Sequence, residues 1–125
     1  MLRNTDAIAT LAVRDLNTAR RFYEGTLGLT AIATEGDEAV TYKSGHSAIN
    51  VYRSRYAGTN QATAMTWDVG KDLESVVQSL KEKGVRFEHY DLPGMKLEGD
   101  IHVADGMKVA WFKDPDGNIL NVISR

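Results

Sequence analysis

The sequence predicts an α+β fold built from two copies of one βαβββ half-domain. The chain nearly repeats itself. Val13-Arg14-Asp15-Leu16 runs through Phe22-Tyr23 to Leu27-Gly28-Leu29, and Val69-Gly70-Lys71-Asp72-Leu73 runs through Val76-Val77 and Leu80 to Lys83-Gly84-Val85. The interval from Val13 to Gly28 and that from Val69 to Gly84 are both 15 positions. Each copy carries an apolar stripe at i, i+3, i+4 spacing that ends on a glycine, the pattern of an amphipathic helix with a stop. Segments rich in β-formers follow each helix, separated by Gly, Asp and Pro turn residues. A duplicated half-domain pairs its copies about a pseudo-twofold, and paired curved sheets leave a cleft. Candidate functional residues are therefore those on inward strand faces.

With 125 residues the chain makes one ordinary domain with a sizeable core. Module one is expected over about residues 5–56, a linker over 57–61 and module two over 62–125. Ala7 to Val13 reads as the first strand. Asp15 or Asn17 then caps a helix whose stripe is Leu16, Ala19, Phe22, Tyr23 and Leu27. Gly28 suits the left-handed position past its end. Strands follow at Leu29–Thr34, Ala39–Lys43 and Ser47–Arg53. In the second copy, Ala62–Val69 is a strand and Asp72 caps a helix with the stripe Leu73, Val76, Val77 and Leu80. Lys81 and Lys83 suit the negative end of its dipole. Gly84 closes it and Val85–Tyr90 is a strand. A long polar excursion with turn signals at Pro93-Gly94 and Asp105-Gly106 precedes the last strands, Lys108–Lys113 and Asn118–Ser124. Asp114-Pro115-Asp116-Gly117 joins those two, proline presetting the turn and glycine accepting positive φ.

Composition excludes several functions. A net charge of −2 with scattered basic residues gives no electrostatic footprint for nucleic acid. The absence of cysteine rules out disulfides, thiolate metal ligands and a cysteine nucleophile. No apolar run approaches the roughly 20 residues of a membrane helix. The opening Met1–Asp6 has no apolar signal core, so the expected location is cytoplasmic.

Two segments then carry a family pattern: Val13-Arg14-Asp15-Leu16 with Phe22-Tyr23 and Leu27-Gly28-Leu29, and Phe112-Lys113-Asp114-Pro115-Asp116-Gly117-Asn118-Ile119-Leu120. With the internal repeat, they resemble the vicinal oxygen chelate superfamily of glyoxalase I, extradiol dioxygenases, fosfomycin-resistance transferases and bleomycin-resistance proteins. The resemblance covers essentially the whole chain. It implies paired βαβββ modules that form a curved, partly closed sheet with helices outside, and a homodimer. It also implies, for the enzymes, one divalent metal on inward His and Glu side chains.

Carried over residue by residue, that metal site falls on Ile8 and Ala64 at the starts of the two modules, on Asn121 where a glutamate is common, and on Asn50 at its pseudo-symmetric place. Isoleucine and alanine offer no donor atom. An asparagine carbonyl without carboxylate or imidazole holds a transition metal poorly. No metal and no cofactor are therefore expected, and the requirements of glyoxalase and dioxygenase chemistry are unmet. His46, His89 and His102 are read as partly exposed. His102 with Asp100, or His89 with Asp91, remains a possible polar wall.

Alternation along the strands extends the lining. Thr10 follows Ile8, Ala48 and Tyr52 flank Asn50, Thr66 and Asp68 follow Ala64, and Ile119 and Ile123 flank Asn121. Trp111 or Phe112, with Tyr42 and the loops at Met95 and Met107, are candidates to cover a planar ligand. The expected ligand-binding set is Ile8, Thr10, Asn50, Tyr52, Ala64, Thr66, Asp68, Trp111 and Asn121. The opposite set, including Leu11, Val13, Ile49, Val51, Met65, Trp67, Val69, Leu120 and Val122, belongs to the core. The leading expectation is a metal-free protein that binds a small molecule. A glyoxalase-like lyase or isomerase or another enzyme of that superfamily, and a dimeric scaffold with a vestigial cleft, are the alternatives.

Overall fold

Strand faces are decided by alternation, and in each half of the chain one face is apolar and is covered by a helix. The computed structural model describes residues 1–125 and has ten strands and two α-helices in two units, Met1–Thr59 and Asn60–Arg125. Each unit holds one mixed sheet, and neither sheet closes on itself.

In the first unit, β1 (Ala9–Val13) leads to α1 (Leu16–Arg20), followed by β2 (Thr30–Glu35), β3 (Ala39–Ser44) and β4 (Ser47–Arg53). The strand order is β1-β4-β3-β2, with β1 parallel to β4 and the other pairs antiparallel. Leu11, Val13, Val40, Tyr42, Ile49 and Val51 are buried on one face, and Leu16, Ala19 and Tyr23 are buried with them. Of the two candidate caps, Asp15 is the one used: its Oδ1 accepts from the Asn17 amide at 3.0 Å and its Oδ2 from Thr18 Oγ1 at 2.8 Å.

The single helix expected through Leu27 divides here. After Arg20 the chain widens into a π-helical turn, Arg21–Thr26, closed by the Leu27 amide donating to the Phe22 carbonyl at 2.9 Å. Two consecutive residues of that turn, Tyr23 and Glu24, both reach Tyr42. Tyr23 stacks on it at 6.0 Å, and the Tyr42 hydroxyl donates to Glu24 Oε2 at 2.8 Å. Burial, together with that carboxylate, pushes the Tyr42 hydroxyl well above the usual phenol range.

In the second unit, β5 (Thr63–Asp68) leads through a 3₁₀ turn, Gly70–Asp72, into α2 (Leu73–Glu82). Asp72 makes no side-chain cap; instead Asp68 Oδ1 accepts from the Gly70 amide at 3.2 Å and starts the turn that precedes the helix. Leu73, Val77 and Leu80 face inward. Gly84, at φ +92, ends α2, and the Val85 amide donates back to the Leu80 carbonyl at 3.0 Å.

The expected strand over 85–90 shrinks to β6 (Phe87–Glu88), because beyond Glu88 the backbone turns its hydrogen bonding to a side chain. The polar excursion is a hairpin, β7 (Lys96–Glu98) with β8 (Ile101–Ala104), turning at Gly99 with φ +62. β9 (Met107–Lys113) and β10 (Ile119–Ser124) complete a sheet ordered β5-β10-β9-β8-β7, with β6 also pairing β9. β5 and β10 are parallel neighbours.

Asp114 builds the turn between β9 and β10. Its Oδ1 accepts from the amides of Asp116 and Asn118, both at 2.9 Å, and its Oδ2 from Asn118 Nδ2 at 2.8 Å. Gly117 takes φ +90 there, a region that a β-branched residue occupies only with strain.

Asp100 anchors the new hairpin. Its Oδ2 meets Lys81 Nζ at 2.8 Å and its Oδ1 meets His89 Nε2 at 2.7 Å, tying α2 and the segment after β6 to the turn. The hydrogen bond from Lys81, then that from His89, hold the Asp100 carboxyl below the usual carboxylate range. A carboxylate whose native pKa is depressed stabilises the fold above its unfolded pKa and loses that contribution as pH falls through the native value. The stability advantage of the wild type over Asp100→Asn is therefore expected to be full above about pH 5 and to shrink steadily with acidification. Urea denaturation of both proteins across that pH range measures it.

Candidate functional site

The faces turned away from the helices carry the functional candidates, and each unit presents its own set. In the first unit Thr10, Asn50 and Thr41 stand side by side across β1, β4 and β3, with Ala12, Tyr52 and Ala39 one step on. Ile8 lies just before β1 and is 57% exposed, and Tyr52 is 38% exposed. Thr10 Oγ1 donates to the Ile8 carbonyl at 3.2 Å. Sequence reasoning thus placed Thr10, Asn50 and Tyr52 on one face. Tyr42, one of the candidate covers, is wholly buried on the other.

In the second unit Thr66, Asn121 and Trp111 form one row across β5, β10 and β9, and Asp68, Ile123 and Val109 form the next. Ala64 falls at the irregularity where the β5–β10 register shifts and is exposed. Asp68 has local work, since its second carboxylate oxygen meets Arg125 Nε at 3.3 Å in addition to its bond to Gly70. Phe112 is buried on the helix-covered face, so of the two aromatic candidates on β9 Trp111 alone faces the row. Met65 and Trp67, expected in the core, are only half-buried.

The strongest features of this face involve His102, which sequence reasoning read as partly exposed. His102 is 1% exposed. Strand β8 pairs it with Val109, turning it onto the Trp111 face of β9. Neither pair proposed for Asp100 and Asp91 forms: Asp100 joins His89, and His102 takes the Tyr90 backbone. The Tyr90 amide donates to His102 Nε2 at 2.9 Å. The same Nε2 lies 3.1 Å from the Tyr90 carbonyl oxygen, and which of the two backbone groups it engages follows the ring tautomer. Nδ1 is buried and meets no hydrogen-bonding partner in the chain.

The rings of Tyr90 and His102 lie nearly parallel at 6.1 Å, and Trp111 stands edge-on to both, at 5.3 and 4.9 Å. Trp111 also reaches across β10: its Nε1 donates to Thr63 Oγ1 on β5 at 3.0 Å. Beside it Asn121 is 7% exposed, and its Oδ1, like His102 Nδ1, is buried without a partner. Burial, then the nearby Glu88 charge, raise the Tyr90 hydroxyl above its ordinary value. The sequence signal for this hairpin is Glu98-Gly99-Asp100 ahead of the apolar-flanked Ile101-His102-Val103.

The positions that the resemblance assigns to a metal hold Ile8 and Asn50 in the first unit and Ala64 and Asn121 in the second. Two of these have no donor atom and the other two offer only amides. No group of three or more His, Asp or Glu side chains is placed to hold a metal ion. These residues do not fit a catalytic divalent cation of the family's kind. A separate groove of about 560 Å³ in the first unit is lined by Arg14, Glu38, Arg53, Ser54 and Arg55. Arg53 pairs there with Glu38 at 3.1 Å, and Arg55 lies over the Tyr56 ring at 5.0 Å.

The Glyoxalase/Bleomycin resistance protein/Dioxygenase superfamily profile matches residues 6–122, and the chain belongs to that superfamily. Lactoylglutathione lyase from Agrobacterium tumefaciens has a similar structure, with 18% identity, a TM-score of 0.72, and coverage of 96% of this chain and 92% of that one. The fosfomycin resistance protein FosX from Mesorhizobium loti is similar at 12% identity and a TM-score of 0.70, covering 100% and 94%. An integron cassette protein from the mobile metagenome of the Halifax Harbour sewage outfall is similar at 17% identity and a TM-score of 0.72, covering 94% and 96%. A comparison with curated proteins found no match. At these identities the likeness to solved structures is one of fold.

Thr63→Val removes the hydrogen bond that holds the indole across β10. It is expected to cost about 1 kcal/mol in urea denaturation and to shift tryptophan emission as Trp111 gains freedom.

Proposed function

We propose that this chain is a small-molecule-binding protein of the glyoxalase/bleomycin-resistance type that works without a catalytic metal. The observation that carries this reading is Asn121. At the position where the resemblance places a metal-binding glutamate, the chain has a buried amide whose Oδ1 has no partner, set beside the Trp111 ring. An amide orients a ligand by hydrogen bonding and leaves an oxygen of that ligand unpolarised, so the site favours capture over turnover. Apolar walls with a few placed polar groups suit a small organic molecule. The ligand-binding candidates in this reading are Thr66, Trp111 and Asn121 on the face of the second unit; Thr10, Asn50 and Tyr52 are the candidates on the separate face of the first. Ile8, Ala64 and Asp68 lie at the margins. The same reading makes the protein a cytoplasmic homodimer with no nucleic-acid or membrane partner. No helix is long and apolar enough to cross a membrane.

The similarity to a lactoylglutathione lyase favours a second reading, a metal-dependent enzyme. Metal analysis separates the two. Protein purified without chelator is expected to carry well under one transition-metal ion per chain, and added Zn²⁺, Ni²⁺ or Mn²⁺ is expected to leave the melting temperature unchanged. In the same assay a screen of small organic molecules should yield compounds that raise it in proportion to the logarithm of their concentration. Stoichiometric metal that stabilises the protein contradicts the proposal and supports the enzyme.

A further inference from the structure

Three segments distant in sequence meet at one end of the first sheet and enclose the groove of about 560 Å³. Arg14 follows β1, Glu38 precedes β3, Arg53 closes β4, and Ser54 and Arg55 come next. Backbone bonds tie the three together. The Ser54 amide donates to the Val13 carbonyl at 2.9 Å, and the Arg53 amide donates to the Glu38 carbonyl at 2.8 Å. A second hollow of about 380 Å³ shares Arg14 and Arg53 and continues towards Asp15, Asn17 and Asp37. Alternation sets this groove apart from the ligand candidates of the same unit. Arg53 has the parity of Ile49 and Val51, which are buried on the helix-covered face, and Asn50 and Tyr52 point the other way.

The larger hollow sets three guanidinium groups against one carboxylate. That carboxylate, on Glu38, pairs with Arg53 at 3.1 Å, and the two side chains are 65% and 54% exposed. A pair so open to water is held weakly, and a stronger anion can take its place on the arginine. Arg55 spends one of its several N–H donors on the Tyr56 hydroxyl, at 2.9 Å. Ser54 Oγ accepts from the Tyr56 amide at 3.1 Å, which positions the hydroxyl and leaves its own O–H to donate. On the far side Asp15 is spent on the Asn17 amide and Thr18 Oγ1, and Asp37 is a further negative charge. An anion therefore belongs at the Arg55 end.

We propose that Arg14, Arg53, Arg55 and Ser54 form a binding site for a small organic phosphomonoester. Guanidinium groups and a hydroxyl offer donors in number, and a phosphomonoester answers with close to two negative charges and three acceptor oxygens. A carboxylate brings one charge and two oxygens. The hollow is far larger than a phosphate group, so the organic part of the ester lies in it as well. Glu38 is the resident competitor that the phosphate displaces from Arg53. This site is independent of the Asn121 face and of the reading built on it.

The test uses phenyl phosphate, phenyl sulfate, which keeps the ring but carries a single charge, and phenol, which carries none. Calorimetric titration at about pH 7.5, where a phosphomonoester is mostly dianionic, is expected to show phenyl phosphate binding several-fold more tightly than phenyl sulfate. ¹⁵N NMR of the wild type, which needs no variant, should show the amides of Ser54 and Arg55 and the Nε–H of Arg14, Arg53 and Arg55 moving with phenyl phosphate. Phenol should leave them in place. Arg55→Gln should weaken binding about tenfold, the range for one charge-assisted hydrogen bond. Arg21→Gln, which removes the same charge from another exposed arginine of the unit, should leave it unchanged. Glu38→Gln should tighten it about threefold, because Arg53 loses its competing carboxylate. No binding of phenyl phosphate, equal affinity for the sulfate, shifts only outside the groove, or equal weakening by Arg55→Gln and Arg21→Gln overturns the inference.

Discussion

Strand β10 must bury Leu120 and Val122 beneath α2, and that requirement governs what the second unit can do. In a strand the side-chain period is two, so a residue between two core positions has no choice of face. Asn121 is such a residue. Its neighbours are almost wholly buried on the helix side, and its amide is carried to the other side beside Thr66 and Trp111. The turn organised by Asp114 sets the register of β9 against β10, and that register makes Trp111 and not Phe112 the partner of Asn121. The turn motif and the binding candidate are thus parts of one mechanical arrangement.

Electrostatics on that face follow from what is missing as much as from what is present. A carboxylate at position 121, with imidazole or carboxylate at the companion positions, would draw a divalent cation. Amide and alkyl groups in those places leave hydrogen bonding and stacking as the available forces. His102 belongs to the same face. Its Nε2 meets both the amide and the carbonyl of Tyr90, at 2.9 and 3.1 Å, and its Nδ1 is buried without a partner. Two buried polar atoms without partners, His102 Nδ1 and Asn121 Oδ1, together cost stability that an apolar pair would not, the kind of cost proteins tolerate at working sites.

How far the sequence reveals this depends on the range of the interactions. The repeated helix stripes, the glycine stops at Gly28 and Gly84 and the 114–118 turn are local patterns, and the faces of β1, β4, β5 and β10 follow from alternation alone. Ranges that tertiary contacts decide were less legible. The π turn after Arg20 forms where Tyr23 and Glu24 both engage Tyr42, a residue 18 positions from Glu24. The β7–β8 hairpin is short and polar, and its anchor joins Lys81 and His89 to Asp100. Its polar sequence reads as loop, which puts His102 half in solvent, whereas the hairpin buries His102 against Trp111 and Tyr90. Asp72 looked like a cap by type, but Asp68 four residues earlier takes the equivalent role one turn upstream.

In the proposed function Asn121 serves a guest and not the fold. Asparagine and leucine share a similar branched shape, so Asn121→Leu exchanges a buried amide whose Oδ1 is unpartnered for hydrocarbon with little change in form. Urea denaturation of the unliganded variant is the direct measurement. Midpoint and stability equal to or above those of the wild type are the predicted result, since removing an unpaired buried polar atom relieves its desolvation. A loss of more than about 1 kcal/mol would mean that the amide holds the sheet together, and the binding account would fail.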